Sequence, residues 1–140
     1  MIDGRRTVDD ALFTETPDGP ALRGSRCADC GAHTFPAQSG CPRCPGTSMV
    51  EVPLSRTGTL WTWTVQGFTP KPPYTGEAAY EPYGVGYVEL PGQLLVEARL
   101  VETDPARLEI GMPVELVLTP FRDDEFGWPV HTFAFVGVEA

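Results

Sequence analysis

Four cysteines lie within twenty residues, in the stretch CADCGAHTFPAQSGCPRCPG (27–46), and the rest of the 140-residue chain has none. Each Cys-x-x-Cys pair can fold into a tight knuckle whose two sulfurs point at one cation. Two knuckles then complete a tetrahedral four-sulfur cage, which suits zinc and, less often, iron. Cys27, Cys30, Cys41 and Cys44 are therefore the expected ligands of one structural Zn2+ per chain. A closed cage of four thiolates keeps no open position for water or substrate, so the metal is expected to hold the fold and not to catalyse. A redox pair needs only one Cys-x-x-Cys at a helix start in a βαβ unit, and no such unit is visible. His33, three residues after Cys30, could in principle replace one of the ligands, and with four cysteines present a solvent-facing or hydrogen-bonded role is the expected one. The first knuckle is followed by Gly31, free to take positive φ, whereas Pro45 stands at the matching place in the second. A proline has no N–H to offer a sulfur, and a slight distortion of the second knuckle is expected there.

Other nucleophilic chemistry is hard to assemble. With every cysteine committed to metal, no free thiol is left to pair with a histidine. His33 and His131 are far apart in sequence and fit no Ser-His-Asp or paired-carboxylate pattern. Asp123, Asp124 and Glu125 read as a solvated acidic turn. No catalytic residue is assigned.

The elements around the cage read as β structure. Fifteen glycines and fifteen prolines, spread along the chain, suit short strands and turns better than long helices. Period-two segments follow the cysteines. In LWTWTVQGF (60–68) the alternation places Trp61, Trp63 and Val65 on one face and Leu60, Thr62 and Thr64 on the other. YGVGYVEL (83–90) has two glycines that suggest a bend or a close approach. LLVEARLVE (94–102) aligns Leu94, Val96, Ala98 and Leu100, and PVELVLTPF (113–121) aligns Val114, Leu116 and Leu118. VHTFAFVGV (130–138) supplies a fifth strand. Asp104-Pro105 opens one helical turn before the fourth strand, and Gly111 stops it. The expected fold is mainly β: a rubredoxin-like zinc ribbon at 21–52, after an N-terminal segment at 1–20, and a five-stranded OB-fold barrel at 53–140. A β-sandwich fragment is the alternative for the second half.

Charge restricts the partners. Net charge is −9. Residues 1–56 carry six Lys/Arg against seven Asp/Glu, and residues 57–140 four against twelve. A nucleic-acid surface needs clustered bases, so neither part looks built for a polyanion. No apolar run approaches the length of a membrane span, and no apolar stretch follows Arg5 and Arg6 as a secretory signal requires. A cytoplasmic chain with reduced thiols is expected. The segment TPKPPYTGEAAYEPYG (69–84) has four prolines and three tyrosines. Tyrosines on a proline-stiffened loop suit an interface or a ligand rim, and a solvated linker is the plainer reading.

The order of these parts resembles a known family. A four-cysteine ribbon precedes a G-T-L-x-T-x-T-V strand (Gly58 to Val65), then P-K-P-P-Y and E-P-Y-G-V-G-Y-V-E-L. D-P-x-x-L-x-I-G-M-P-V-E (Asp104 to Glu115) and a final aromatic strand follow. Over residues 20–138 this is similar to the acyl-CoA-associated zinc-ribbon/OB-fold proteins, a domain of unknown function found beside thiolase-like genes. The resemblance implies a non-catalytic accessory subunit of a thiolase, acyltransferase or aldolase complex acting on acyl-CoA, in catabolism of aromatic, fatty-acid or steroid side-chain compounds. It carries Cys27, Cys30, Cys41 and Cys44 over as zinc ligands. Trp61, Trp63, Phe68, Lys71, Tyr74, Tyr80 and Tyr83 are then the expected partner or ligand surface, with no nucleic acid and no membrane. Two other readings are a nucleic-acid-binding ribbon/barrel module and a stand-alone acyl-CoA-binding protein. For the latter, Lys71 and Arg99 are among the few bases of the second half.

Overall fold

A computed structural model describes residues 1–66 and 83–138. Its strands are β1 (Arg6–Thr7), β2 (Phe13–Thr16), β3 (Gly19–Cys27), β4 (His33–Thr34) and β5 (Met49–Pro53). They continue with β6 (Thr57–Gln66), β7 (Tyr83–Leu90), β8 (Leu94–Leu100), β9 (Pro113–Asp123) and β10 (Pro129–Gly137). The only helical pieces among the described residues are single 3-10 turns at Asp10–Leu12 and Pro105–Arg107. Asp104 caps the second, accepting from the Ala106 N–H, as the Asp-Pro start predicts.

β6 to β10 close a five-stranded barrel. β6 pairs antiparallel with β7, β7 with β8, and β9 with both β6 and β10. Parallel pairing of β8 with β10, at Arg99↔Ala134 and Leu100↔Phe135, completes the ring. With the 3-10 turn between its third and fourth strands, this is the OB order. Inside lie Leu60, Val88, Leu90, Val96, Ala98, Leu100, Val114, Leu116 and Phe135, all buried. Each of these Val, Leu and Phe side chains contributes about 1.5–3 kcal/mol on removal from water.

The faces expected of β8 and β9 are the ones observed, but the alternation in β6 breaks. The β6–β7 register runs Leu60↔Val88 and then Thr62↔Tyr87, so Trp61 is the extra residue of a β-bulge. Leu60 is fully buried, and Trp63 and Val65 pack against the core beside it, while Trp61 is 55% exposed. The expected grouping of Trp61 with Trp63 and Val65 is thereby corrected: one inserted residue flips the parity of all that precedes it.

The ribbon sheet is built on β3, whose first half pairs with β2 and whose second half pairs with β4 and β5. Ribbon and barrel share one core, because Phe13, Leu22 and Leu54 join the barrel cluster. Phe133 of β10 meets Phe13 and Phe35 edge-on, with ring centroids 6.3 and 5.6 Å away. The first residues divide between the two parts: β1 runs parallel to β10, while β2 belongs to the ribbon sheet.

Candidate functional site

β3 ends on Cys27, and Met49 of β5 lies opposite it, so the knuckles hang from the far end of the ribbon sheet. Each knuckle is closed by the same backbone bond: Cys27 N–H donates to the Ala32 carbonyl (2.8 Å) and Cys41 N–H to the Gly46 carbonyl (3.2 Å). Cys27 Sγ lies 3.7 Å from Cys44 Sγ, and Cys30 Sγ 3.5 Å from Cys41 Sγ. All four sulfurs are within 4.8 Å of one another. Disulfides are excluded by these separations, since bonded sulfurs are about 2 Å apart. A tetrahedron with Zn–S bonds of about 2.3 Å has edges of about 3.8 Å, and the cluster has that size. The four cysteines are positioned to bind one zinc ion. His33 is outside the group, paired with Arg26 in the β3–β4 ladder.

Backbone donors tune the sulfurs. Arg43 and Cys44 N–H donate to Cys41 Sγ at 3.4 and 3.3 Å. The Ala32 amide, and then the neighbouring thiols, bring the Cys30 thiol down to about 6 against the cost of desolvation. At Cys44 the Gly46 amide favours the thiolate. The thiols of Cys41 and Cys30 and burial outweigh it, and the group is pushed up to about 12.

The donor that Pro45 lacks is a turn donor and not a sulfur donor, and the bond that closes its knuckle is the longer of the two. In the first knuckle Gly31, at φ +79°, donates to the Cys27 carbonyl at 2.8 Å, and Pro45 lacks the equivalent N–H. One turn bond is lost; the amides that reach the sulfurs come from other positions. The Arg43 guanidinium donates to the Cys30 carbonyl and ties the knuckles together. Gly46 is the constrained residue, because a Cβ there would stand 2.7 Å from Asp29 Oδ2 and 3.2 Å from Cys44 Sγ.

With ribbon, cage and barrel in place, the likeness to known proteins can be specified. Residues 18–50 match the model of the ChsH2 rubredoxin-like zinc ribbon domain, and residues 51–119 that of the ChsH2 C-terminal OB-fold domain. The chain is 36% identical over 127 residues to the benzoylsuccinyl-CoA thiolase subunit BbsA of Thauera aromatica, covering 89% of this chain and 83% of that one. It belongs to the DUF35 family of zinc-ribbon/OB-fold proteins. A DUF35 domain-containing scaffold protein of Methanocaldococcus jannaschii is 33% identical over 74% of this chain and 71% of its own. Among solved structures, the Ltp2-ChsH2(DUF35) aldolase superposes with TM-score 0.63 at 29% identity, covering 84% of each chain.

On this DUF35 barrel the expected surface residues separate. Trp61 stands outward at the bulge, and Trp63 packs on the core. The Arg99 guanidinium lies over the Tyr83 ring, 4.2 Å from its centroid, and over the Phe121 ring at 4.9 Å. Phe68, Lys71, Tyr74 and Tyr80 lie outside the described residues. The acidic turn is more ordered than a solvated loop. The Asp124 carboxylate accepts from the Phe126 and Trp128 amides at 2.9 Å each and meets the Arg6 guanidinium at 3.3 Å. Those amides, with Arg6 and Arg122, hold its pKa below the ordinary carboxylate value. The sequence reads as an acidic turn, but it does not reveal the Asp124 cap, because Asp three residues before a glycine is shared by many plain loops. Among the described residues no helix is long and apolar enough to cross a membrane.

Proposed function

We propose that this chain is a non-catalytic accessory subunit of a thiolase-like complex, in which a thiolase-fold enzyme performs thiolase, acyltransferase or aldolase chemistry on an acyl-CoA. The carrying observation is the 36% identity to a subunit named for a thiolase, spanning nearly the whole of both chains. The likeness to a DUF35 chain of an aldolase complex supports it. The chemistry of the chain agrees: its thiols are grouped for metal, and His33 and His131 sit in different sheets, so no Cys–His nucleophile pair forms among the described residues. In this reading the catalytic subunit supplies the reacting groups and the bases that meet the coenzyme A phosphates. This chain docks beside the acyl-CoA path through Trp61 and Tyr83, with Trp63 supporting them from the core side and Phe68, Lys71, Tyr74 and Tyr80 of the intervening segment. The substrates fit catabolism of aromatic, fatty-acid or steroid side-chain compounds, and grouped reduced thiols fit the cytoplasm.

The test is to co-express the tagged chain with each thiolase-fold protein of its source organism. The expected result is a stable hetero-oligomer whose partner cleaves or forms acyl-CoA only when the two are together. A chain that stays monomeric beside every such candidate removes the reading.

A further inference from the structure

The β9–β10 turn holds two large aromatic rings in water. Phe126 is 74% exposed and Trp128 60%, the most exposed phenylalanine and tryptophan among the described residues. Single apolar residues on a surface need no explanation, but here two stand on one hairpin tip, two residues apart. The turn beneath them is firmly built. Asp124 N–H donates to the Trp128 carbonyl (2.8 Å), and Gly127 N–H, at φ +82°, donates to the Asp124 carbonyl (3.0 Å). The Asp124 side chain caps both aromatic residues' amides, and Arg6 of β1 braces it from the adjoining strand. Rings carried on an ordered turn have little backbone entropy left to lose on binding.

We propose that this tip is a preformed docking knob, whose Phe126 and Trp128 enter an apolar socket rimmed by lysine or arginine on a protein partner. The occupant follows from charge. Arg5 and Arg6 flank Trp128, but Arg5 pairs with Asp3 and Arg6, with Arg122 near it, faces Asp124, so the carboxylates of Asp123 and Glu125 are the exposed charges left beside the rings and a complementary socket is basic at its rim. A second copy meeting tip to tip sets acid against acid. An anionic bilayer or a nucleic acid repels the same two carboxylates. Buried tryptophan in a socket is a common anchor of interface affinity. The identity of the partner as the catalytic subunit rests on the function proposed above; the knob itself does not.

Two linked measurements test it. The full chain carrying the photoreactive p-benzoylphenylalanine at position 126, or at the exposed Val50 position of the ribbon as control, is irradiated in cells of the source organism. Crosslinked proteins are identified by mass spectrometry. Each one is purified and titrated against wild type and Phe126→Ala/Trp128→Ala, with circular dichroism and zinc content showing that the variant folds. The expected result is a thiolase-fold subunit crosslinked from position 126 alone, whose affinity falls about 100-fold or more in the double variant. The same loss with a partner of another fold keeps the knob and removes the thiolase-like reading. A thiolase-fold subunit that binds both forms equally overturns the knob and leaves that reading standing. No crosslink above the control, a crosslink to a second copy only, or loss of binding to phosphatidylcholine–phosphatidylserine vesicles as the sole effect of the variant each overturns the proposal.

Discussion

The guanidinium of Arg56 and the carboxylate of Glu115 meet at 2.9 Å across the seam between ribbon and barrel. The same guanidinium donates to the Pro20 carbonyl of β3 at 2.8 Å and to the Leu116 carbonyl of β9 at 3.2 Å. Arg56 itself closes the seam through its backbone, as its carbonyl accepts from Leu116 N–H at 2.7 Å, and next to it Leu54 N–H donates to Leu22. One side chain thus joins three segments that are far apart in sequence.

Arg56→Met keeps the stem and removes the fork. It leaves two carbonyls short of a donor and Glu115 without its base, a cost of about 2 kcal/mol. Little of that is the ion pair, because Glu115 is partly exposed and screened. A lower urea midpoint with an unchanged zinc content is the expected result.

Removal of zinc acts at the other end of the ribbon. Structural zinc contributes on the order of 10 kcal/mol in small modules, so a strong chelator is expected to unfold the knuckles and the β4 and β5 pairings. Zinc binding displaces thiol protons. With Cys30 near 6 and Cys44 near 12 in the metal-free cluster, Cys30 is already ionised at neutral pH and Cys44 is not. Affinity therefore rises with pH through neutrality, and calorimetry in buffers of different ionisation enthalpy should count fewer than four protons released.

Pro45→Ala separates two views of the second knuckle. The sulfurs already receive their amides from other residues, and an alanine N–H would restore only a turn bond. Zinc affinity is expected to be unchanged. Gly46→Ala, in contrast, sets a methyl 3.2 Å from the Cys44 sulfur; the exposed Asp29 carboxylate can rotate away but a metal-held sulfur cannot, so binding should weaken modestly. Competition with a chromogenic chelator distinguishes the two.

The cage and the barrel were legible in the sequence because their signals are local. Cys-x-x-Cys spacing forces a knuckle, and strict alternation in β8 and β9 puts Val96, Ala98, Leu100, Val114 and Leu116 inside without any knowledge of the partner strand. The bulge at Trp61 was not legible, since an inserted residue shows only against the strand opposite. Arg56 was invisible for the same reason: its partners, Pro20 and Glu115, come together only once ribbon and barrel are docked. The order and charge of the parts narrowed the function, whereas the ring-bearing turn at Asp124 depends on a carboxylate geometry that composition does not encode.

The bulge makes neighbouring large residues respond unequally. Leu60→Ala empties a fully buried site and is expected to cost about 3 kcal/mol. Trp61→Ala removes a larger side chain that is more than half exposed and should cost clearly less, about 1 kcal/mol. Urea denaturation of both variants checks this. A large loss at Trp61 would return it to the core side with Trp63.

Two glycines of the β7–β8 hairpin are needed for different reasons, and alanine tells them apart. Gly92 has φ +71° and open space around its Cβ position, at the third residue of a turn closed by Gln93 N–H to the Leu90 carbonyl. Gly92→Ala therefore meets only backbone strain, about 1 kcal/mol. At Gly86 a Cβ would lie 2.7 Å from the Thr62 carbonyl oxygen and 2.9 Å from Leu60 Cδ1. The neighbour is the backbone of β6, which cannot swing aside as a side-chain end can, so β6 and β7 must separate. Gly86→Ala is expected to cost up to about 3 kcal/mol and to speed amide exchange along Trp63–Val65, whereas Gly92→Ala leaves those amides protected. Equal exchange in the two variants would mean that the strands tolerate the methyl, and the close approach at Gly86 would not be what selects glycine there.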